Sequence, residues 1–354
     1  MQGIRLDCCE RFSSVKTVKV ALVGYGYWGP NLARVLNEID GINFHSVIDS
    51  SREKRESAKH RFSVLTFESV KSLISSEEVD ALVVATPASS HDDITLEALQ
   101  NNLHVLVEKP MATNVNNAKL MIAEAEKRNL VLMPGHTFIF NDAIYFAKQL
   151  IDAGEIGQVQ NIYSQRLNLG QLRTDVDVVW NLAPHDISIA NFFLGSVPLS
   201  VSVTAGFVTQ KELADIAFIS SKYKDGTIAH HHVSWLDPTK TRRVTVIGSK
   251  GMLVIDDASP DAKIQIHQKF AESQQTSVDS YADFQTILRS GDTNIPHIRF
   301  REPLREEVSN FVAAILGKDS QRVSSKDGLN VVRTLTAISE SIKQGGKEVK
   351  VPND

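Results

Sequence analysis

Val18-Lys-Val-Ala-Leu-Val-Gly-Tyr-Gly-Tyr-Trp-Gly29 is the stretch of this sequence that decides its fold. An apolar run typical of a buried strand leads directly into Gly24, Gly26 and Gly29, and a helical pattern follows. Gly24 permits a tight turn, Gly26 lets the backbone approach a pyrophosphate, and Gly29 lets the helix pack close to the strand. Because the helix then presents its unpaired N–H groups to the phosphates, the stretch predicts a dinucleotide-binding turn.

A carboxylate stands where such a turn needs one. Asp49 closes a second apolar run, twenty residues beyond Gly29, and would accept hydrogen bonds from the adenosine ribose hydroxyls. Because a carboxylate repels a 2′-phosphate, we expect NAD rather than NADP, a preference that Ser50, Ser51 and Arg52 could soften. The alternative is a glycine turn in an ordinary βα unit. The predicted cofactor contacts here are Gly24, Tyr25, Gly26, Tyr27, Trp28, Gly29, Asp49, Ser50 and Arg52.

Length and charge point to a two-domain globular protein. A chain of 354 residues is too long for one comfortable core, and its net charge of −4 gives no basic surplus for nucleic acid or an anionic membrane. We find no run of about 18 uncharged apolar residues, so no membrane span is expected. Residues 1–16 lack the apolar core of a signal peptide and are expected to form a flexible extension.

Cysteine and histidine usage gives no support for a metal site. The adjacent Cys8 and Cys9 are the only cysteines and supply too few ligands for a structural zinc, so we expect a cytoplasmic protein without metal. In the strand pattern around His230-His231-His232, the first and third histidines share a face, and no third ligand lies at a recognisable spacing. We expect one of these histidines to line a substrate pocket instead.

Strand and helix patterns divide the chain into two regions. Strand patterns at 43–48, 63–67, 79–85, 103–107 and 130–133 alternate with helical patterns and predict a parallel, doubly wound α/β sheet. From residue 159 onward, consecutive strand patterns predict a mostly antiparallel sheet in an α+β domain. We place the boundary near Gly135, which gives an extension 1–16, a cofactor domain 17–135 and a second domain 136–354. A polar segment from Phe270 to Ile298 is expected to form a long, mobile loop.

Three stretches that follow predicted strands or open a helix carry candidate chemistry, because a doubly wound sheet binds ligands outside the carboxyl ends of its strands. The first is 86–91, in which Thr86, Pro87 and His91 are candidate cofactor contacts. The second is Glu108-Lys109-Pro110 after the fifth strand, and the third is 180–186 at the start of an apolar helix.

Together these motifs resemble the glucose-fructose oxidoreductase, inositol dehydrogenase and rhizopine-catabolism (Gfo/Idh/MocA) family over nearly the whole chain after Lys16. The resemblance rests on the glycine turn, Ala85-Thr-Pro87 with His91, Glu108-Lys-Pro110, His185-Asp186 and Gly248-Ser-Lys-Gly251. It implies a Rossmann domain, an α+β domain with an open sheet, and NAD(P)-dependent chemistry at a sugar or cyclitol carbon. It also implies a homodimer or homotetramer, for which the C-terminal sheet looks suited.

The resemblance also assigns catalytic roles. Lys109 matches the family's Glu-Lys-Pro lysine, which contacts the reacting hydroxyl and the nicotinamide, and Glu108 precedes it among the expected cofactor contacts. His185 matches the histidine usually assigned proton transfer. Asn181 and Ser188 stand where many members have aspartates, and an asparagine can position a hydroxyl but cannot accept its proton. The family commonly has a cis peptide bond at the position of Lys109–Pro110.

The chemistry of alcohol oxidation leaves two candidates for the base. A secondary alcohol loses a hydride to the nicotinamide and a proton to a base, and the neutral imidazole of His185 has a suitable pKa. The Lys109 ammonium would stabilise the developing alkoxide. If Lys109 is desolvated, its pKa could fall enough for Lys109 to be the base instead.

Substrate contacts are predicted from strand alternation. In 159–169, Arg166 and Asn168 share a face that suits a carboxylate or phosphate and a hydroxyl-rich ring, with Arg173 nearby as a second cation. Surface salt bridging is the alternative. His136 is expected either to line the pocket or to pack between the domains. The predicted substrate contacts are Arg166, Asn168, Arg173, His136 and Asp186.

The sequence thus predicts an NAD-dependent dehydrogenase that oxidises a ring hydroxyl of a nucleotide sugar, at C3. The segment 166–170 and the helix at 183–186 resemble the family branch of UDP-N-acetylglucosaminuronate-type 3-dehydrogenases. One alternative is a cyclitol or free-sugar dehydrogenase, for which Arg166 and Arg173 would have no anion to bind. Another is an NAD-binding sensor without turnover, which Asn181 and Ser188 favour and Lys109 and His185 oppose.

Overall fold

The structure is a computed structural model that describes residues 17–170, 172–275 and 284–352. The predicted flexible extension, with Cys8 and Cys9, lies outside the described residues. Two large sheets organise the rest of the chain, one parallel and one mostly antiparallel. This architecture confirms the predicted fold class.

The first sheet is parallel and six-stranded. Its strands are β1 Val18–Val23, β2 Ile42–Ile48, β3 Leu65–Phe67, β4 Ala81–Val84, β5 His104–Glu108 and β6 Leu132–Gly135, in the spatial order β3-β2-β1-β4-β5-β6. The connecting helices are α1 Gly29–Glu38, α2 Arg52–Phe62, α3 Val70–Ile74, α4 His91–Gln100 and α5 Val115–Lys127. The order of the strands reverses between β1 and β4, which is where a doubly wound sheet binds its ligand.

The second sheet has nine strands. They are β7 Val159–Leu169, β8 Ser200–Gly206, β9 Ile216–Lys222, β10 Ile228–Ser234, β11 Leu236–Gly248, β12 Met252–Asp256, β13 Ile264–His267, β16 Thr293–Asn294 and β17 Val349–Lys350. Their order is β16-β13-β12-β11-β7-β10-β9-β8-β17, and only β7 and β10 pair in parallel. The helices of this region are α6 Asp142–Asp152, α7 Val178–Leu194, α8 Pro303–Ile315 and α9 Ser325–Lys343.

The prediction of a loop from Phe270 to Ile298 is wrong for most of the described residues of that segment. β14 Phe270–Gln275 and β15 Phe284–Arg289 pair as a two-stranded antiparallel sheet, and β16 pairs with β13 at the edge of the large sheet. Residues 276–283, between β14 and β15, lie outside the described residues. Because strand pairing satisfies backbone N–H and C=O groups, it does not require the apolar anchors whose absence suggested a loop.

Helices α7 and α9 cover one face of the large sheet. Trp235, which is 2% exposed, packs there with residues of both helices. A Cβ at Gly328 of α9 would lie 2.9 Å from Pro134, so α9 also packs tightly against β6 of the first sheet. The opposite face of the large sheet is open, with Tyr163 39% and Phe218 52% exposed. None of the described helices is both long and apolar enough to cross a membrane.

Candidate active site

A cavity of about 610 Å³ lies where the carboxyl ends of β4 and β5 and the start of α1 face α7. The first sheet contributes Trp28, Thr86 and Lys109 to its lining, and the second region contributes His185 and Arg242. The cavity therefore adjoins the predicted dinucleotide turn and contains residues from both parts of the chain.

The glycine turn has one position with open space beside it. Gly24 has a φ of +94°, and a Cβ there would lie 2.7 Å from the Ala85 carbonyl oxygen. A Cβ on Gly29 would lie 2.4 Å from the Gly24 carbonyl oxygen, whereas one on Gly26 would meet only Lys54 Nζ, at 4.0 Å. The fold itself requires the first and third glycines, and the space at the second fits a pyrophosphate that approaches the backbone.

Substitution of Gly26 separates cofactor binding from folding. We expect Gly26→Ala to weaken NAD binding about tenfold to hundredfold, because its methyl group occupies the pyrophosphate space, at an overpacking cost of about 1–3 kcal/mol. Its Tm should stay unchanged, since no protein atom lies closer than 4.0 Å. Gly24→Ala, which clashes with backbone, should lower Tm. Calorimetric titration measures the NAD affinity, and thermal unfolding measures Tm. Normal NAD affinity in Gly26→Ala would contradict the assignment of the space at Gly26 to the pyrophosphate.

Asp49 closes the turn on the other side. Its carboxylate accepts backbone hydrogen bonds from Tyr25 at 2.8 Å and Ser51 at 2.9 Å, and Lys54 Nζ lies 3.8 Å away. The remaining lone pairs of its oxygens would be available to accept from a ribose hydroxyl. Ser50 and Arg52 are exposed beside it. Sequence reasoning missed Lys54, which lies between Asp49 and Gly26.

The aromatic residues of the turn divide into core and cavity. Tyr25 is only 6% exposed and packs in the hydrophobic core, so its backbone N–H, and not its ring, serves the turn. The ring packs beside Gly29, so any contact of Tyr25 with the cofactor would come from its backbone. Tyr27 is 91% exposed, and both Tyr27 and Trp28 line the cavity.

His91 connects two loops beneath the cavity. Its Nδ1 lies 2.8 Å from the Pro110 carbonyl oxygen and its Nε2 lies 2.9 Å from that of Thr86, and burial lowers its pKa. His91 also lines the cavity, so the predicted cofactor contact stays a prediction, and its two ring nitrogens facing backbone carbonyls hold the loops after β4 and β5 together. Thr86 lines the cavity, whereas Pro87 is exposed and lies outside the lining.

Lys109 reaches from the end of β5 to α7. Its Nζ donates a hydrogen bond of 3.0 Å to the backbone carbonyl oxygen of Asn181, and the Lys109–Pro110 peptide bond is cis. Burial lowers the Lys109 pKa to about 8; the neighbouring Glu108 opposes this shift, and the charges of Arg173 and Arg166 add to it. Lys109 is therefore close to its titration point at neutral pH.

His185 lies on α7 and lines the same cavity. Its ring meets the Phe138 ring edge-on, with centroids 4.9 Å apart, and its Nδ1 has no hydrogen-bond partner among the described residues. Burial lowers the His185 pKa well below its ordinary value, and the charges of Lys109 and Arg166 lower it further. The imidazole is neutral at pH 7, and its conjugate acid is strong, which makes it a weak base.

Asn181 contributes two separate contacts. Its backbone carbonyl accepts from Lys109, and its side-chain oxygen accepts a 3.3 Å hydrogen bond from the Trp235 indole. Ser188, the second departure from the family pattern, donates through its hydroxyl to the His185 carbonyl oxygen at 2.8 Å. The serine hydroxyl is thus used within α7.

Arg166 and Asp186 bind each other instead of lining the cavity. Arg166 Nε lies 2.8 Å from one carboxylate oxygen of Asp186 and Nη2 lies 3.2 Å from the other, and the two side chains are 6% and 1% exposed. The guanidinium also stacks over Phe138 at 4.3 Å. The prediction of direct substrate contacts is corrected: alternation placed Arg166 on the right face, but α7 covers that face.

The other predicted substrate residues are scattered. Arg173 lines the cavity and pairs with Asp175 at 2.8 and 2.6 Å. Asn168 lies outside the cavity lining. His136 is fully buried and lines a second cavity of about 250 Å³ behind α7; burial and the charge of Lys109 lower its pKa to about 4. His136 is therefore not part of the lining of the larger cavity.

The histidine triplet lies away from the cavity, which contradicts the expected pocket contact. His231 is 2% exposed and bonds the Ser164 hydroxyl at 2.8 Å, whereas His232 stacks on Phe218 at 4.1 Å on the open face. Among the residues the structure describes, no group of three or more metal-ligating side chains is arranged to hold an ion.

Several lining residues were not predicted. Phe138 and Asn141 follow β6, where the rule on strand ends applies, but the sequence there has no motif. Arg242, Asp257 and Lys263 come from the antiparallel sheet, where no positional rule identifies them. Glu307 of α8 is also buried, and its carboxylate accepts from the Thr137 hydroxyl at 2.9 Å; burial and Glu108 raise its pKa well above the ordinary value.

The parallel sheet, the glycine turn and the acid after β2 define an NAD-binding oxidoreductase of the Rossmann type. Residues 18–136 match the oxidoreductase family with an NAD-binding Rossmann fold, and residues 145–254 match the Gfo/Idh/MocA C-terminal domain. The chain belongs to the Gfo/Idh/MocA family, which confirms the resemblance and the expected NAD-binding Rossmann domain.

Known relatives are distant. The 2,7-anhydro-N-acetylneuraminate hydratase of Mediterraneibacter gnavus is 26% identical over 258 residues, which is 68% of each chain. The UDP-N-acetylglucosamine 3-dehydrogenase of Acidithiobacillus ferrooxidans is 29% identical over 231 residues, 65% of this chain and 71% of the relative. The structure of the WlbA dehydrogenase from Bordetella pertussis, with NADH and UDP-GlcNAcA, has a TM-score of 0.78 at 19% identity, over 96% and 100% of the two chains. This last likeness is one of fold alone.

Proposed function

We propose that this oxidoreductase is an NAD-dependent dehydrogenase that oxidises the C3 hydroxyl of a nucleotide-linked sugar. The main support is that Lys109, directly after β5, and His185, on α7, line one cavity next to the glycine turn. The relative named as a UDP-N-acetylglucosamine 3-dehydrogenase supports the substrate class.

We assign to Lys109 the role of the general base that accepts the proton of the substrate hydroxyl. When bound, NAD⁺ supplies the hydride acceptor. Lys109, with a pKa of about 8, is matched to neutral pH, whereas the lowered pKa of His185 makes its imidazole the weaker base. The neutral Lys109 amine would take the hydroxyl proton, and the resulting ammonium would stabilise negative charge on the oxygen. His185 would orient the hydroxyl by a hydrogen bond.

The pH dependence of kcat/KM distinguishes the two bases, because kcat/KM reports the free enzyme. If the neutral Lys109 amine is needed, kcat/KM should rise about tenfold per pH unit up to about pH 8 and then level off. If His185 is the base and a charged Lys109 assists, the profile should be level near neutrality and fall above pH 8. Initial rates from pH 6 to 10 distinguish these two profiles, and the second profile would assign the base to His185 instead of Lys109.

The substrate class is tested by reduced-nicotinamide absorbance with purified protein. We expect reduction of NAD with UDP-N-acetylglucosamine or its uronate, and none with free sugars or cyclitols. Turnover of inositols alone would favour the cyclitol alternative. No absorbance signal and no product by mass spectrometry with any compound, with NAD bound normally, would favour the sensor.

A second candidate follows from the relative named as a hydratase. Such a reaction adds water to its substrate without net oxidation. Product formation by mass spectrometry, with no net change in reduced-nicotinamide absorbance, would identify this outcome. A nicotinamide signal that matches the amount of product would exclude it.

We also propose a homo-oligomer in the cytoplasm, paired through the open face of the large sheet. Exposed apolar side chains on that face, among them Tyr163 and Phe218, support the pairing. Light scattering of the purified chain measures its mass, and a monomer at micromolar concentration would contradict the proposal.

A further inference from the structure

One wall of the cavity is built by four residues of the second region. Arg242 lies on β11, Asp257 follows β12, Lys263 precedes β13, and Asn141 begins α6. Asn141 is 2% exposed and donates to one Asp257 carboxylate oxygen at 3.0 Å, while Arg242 Nη1 lies 3.4 Å from the other. The Asp257 N–H donates to the Arg242 carbonyl at 2.9 Å, so backbone also fixes the wall.

This wall carries more positive than negative charge. Lys263 Nζ donates to the backbone carbonyl of Asp257 at 2.8 Å, which leaves its charge uncompensated by that contact. Arg242 contacts Asp257 through one nitrogen only, and its side chain is 40% exposed. Only Arg242 contacts the Asp257 carboxylate, so these two cations are matched by a single carboxylate, and the guanidinium retains donors that this contact does not use.

The wall lies close to His185, the residue proposed to orient the substrate hydroxyl. Arg242 pairs with Arg166 in the register of β11 and β7, so both lie on the face that packs on Phe138. The Arg242 guanidinium lies 5.7 Å from the Phe138 ring centroid, and the His185 ring lies 4.9 Å from the same centroid. Because Asp186 neutralises Arg166, Arg242 is the guanidinium of this pair that is open to a ligand.

We propose that Arg242 and Lys263 form the subsite for an anionic group of the substrate, a carboxylate or a phosphate carried by the sugar. This inference rests on the proposed function, because it names the substrate class of the same cavity. A guanidinium fork suits both oxyanions, and the Phe300 ring, 5.4 Å from Lys263 Nζ, provides an apolar side. The subsite takes over the role that sequence reasoning gave to Arg166.

Binding is measured by calorimetry on the NAD-saturated full chain, so the test does not depend on turnover. Wild-type protein is titrated with four ligands. UDP-N-acetylglucosamine carries a diphosphate, and its uronate carries a diphosphate and a carboxylate. Glucuronate carries only a carboxylate, and glucose carries no anionic group. Arg242→Gln and Lys263→Gln should each weaken binding of the anionic ligands about tenfold to hundredfold, the value of a charge-assisted hydrogen bond. Arg243→Gln, exposed on the opposite face of β11, is the matched control and should bind as wild type.

Each outcome of these titrations either supports or overturns the anionic subsite. Weaker binding of glucuronate by the glutamine variants identifies a carboxylate site, and weaker binding of UDP-N-acetylglucosamine by them identifies a phosphate site. Equal binding by wild type and both glutamine variants, or no binding of any anionic ligand by wild type, would overturn the subsite. Failure of the proposed function shows separately: anions bind through Arg242 and yet no nicotinamide is reduced. Thermal unfolding of each variant establishes that it is folded.

Discussion

Lys109→Met should lower kcat by about a thousandfold, within the range of about 10²–10⁴ for loss of a positioned general base. The amine that takes the proton is removed, and the neighbouring imidazole is too weak a base to replace it. NAD affinity should change less than about threefold, because the glycine turn and Asp49 remain. Stopped-flow absorbance measures the rate, and calorimetric titration measures the affinity.

Lys109→Arg is the matched control for charge. Arginine keeps a cation at this position but does not deprotonate, so it should be as inactive as methionine if Lys109 is the base. If Lys109 acts only by its charge, the arginine variant should recover a large part of the lost rate. A methionine variant with most of the wild-type rate would remove Lys109 from the mechanism.

Asp186→Ala should destabilise the protein by about 3–5 kcal/mol, since it leaves the Arg166 guanidinium buried without its partner. That is a large part of a typical stability of about 5–15 kcal/mol. Urea unfolding measures the loss. The double variant with Arg166→Met and Asp186→Leu should recover most of it, because neither charge is then buried.

Asp175→Ala is the comparison for an exposed pair. This substitution breaks the contact with Arg173. The side chains of Asp175 and Arg173 are 38% and 39% exposed, so the substitution should lower the free energy of unfolding by less than about 1 kcal/mol. Equal losses in Asp186→Ala and Asp175→Ala would contradict the importance of burial at Arg166.

The cofactor half of the site was predictable because local rules govern it. Glycine spacing, the acid after β2 and the position of residues after β4 and β5 all follow from chain order in a parallel sheet. The structure places Gly24, Asp49 and Lys109 at the edge that those rules give. Spacing locates the Tyr25 backbone but does not show that its ring turns into the core.

The substrate half was predictable only in outline. Alternation placed Arg166 on one face with Asn168, but it carries no information on what covers that face, which is α7 with Asp186, twenty residues further on. Arg242, Asp257 and Lys263 come together through pairing of β11, β12 and β13, and such register is not visible in the composition of any one strand.

The contact between Lys109 Nζ and the carbonyl oxygen of residue 181 has an evolutionary consequence. Any amino acid on this turn of α7 presents the same carbonyl, so the anchor of the lysine survives substitution of the side chain. A change from asparagine to aspartate at position 181 would therefore alter the group beside the substrate hydroxyl and leave the backbone acceptor of the lysine in place.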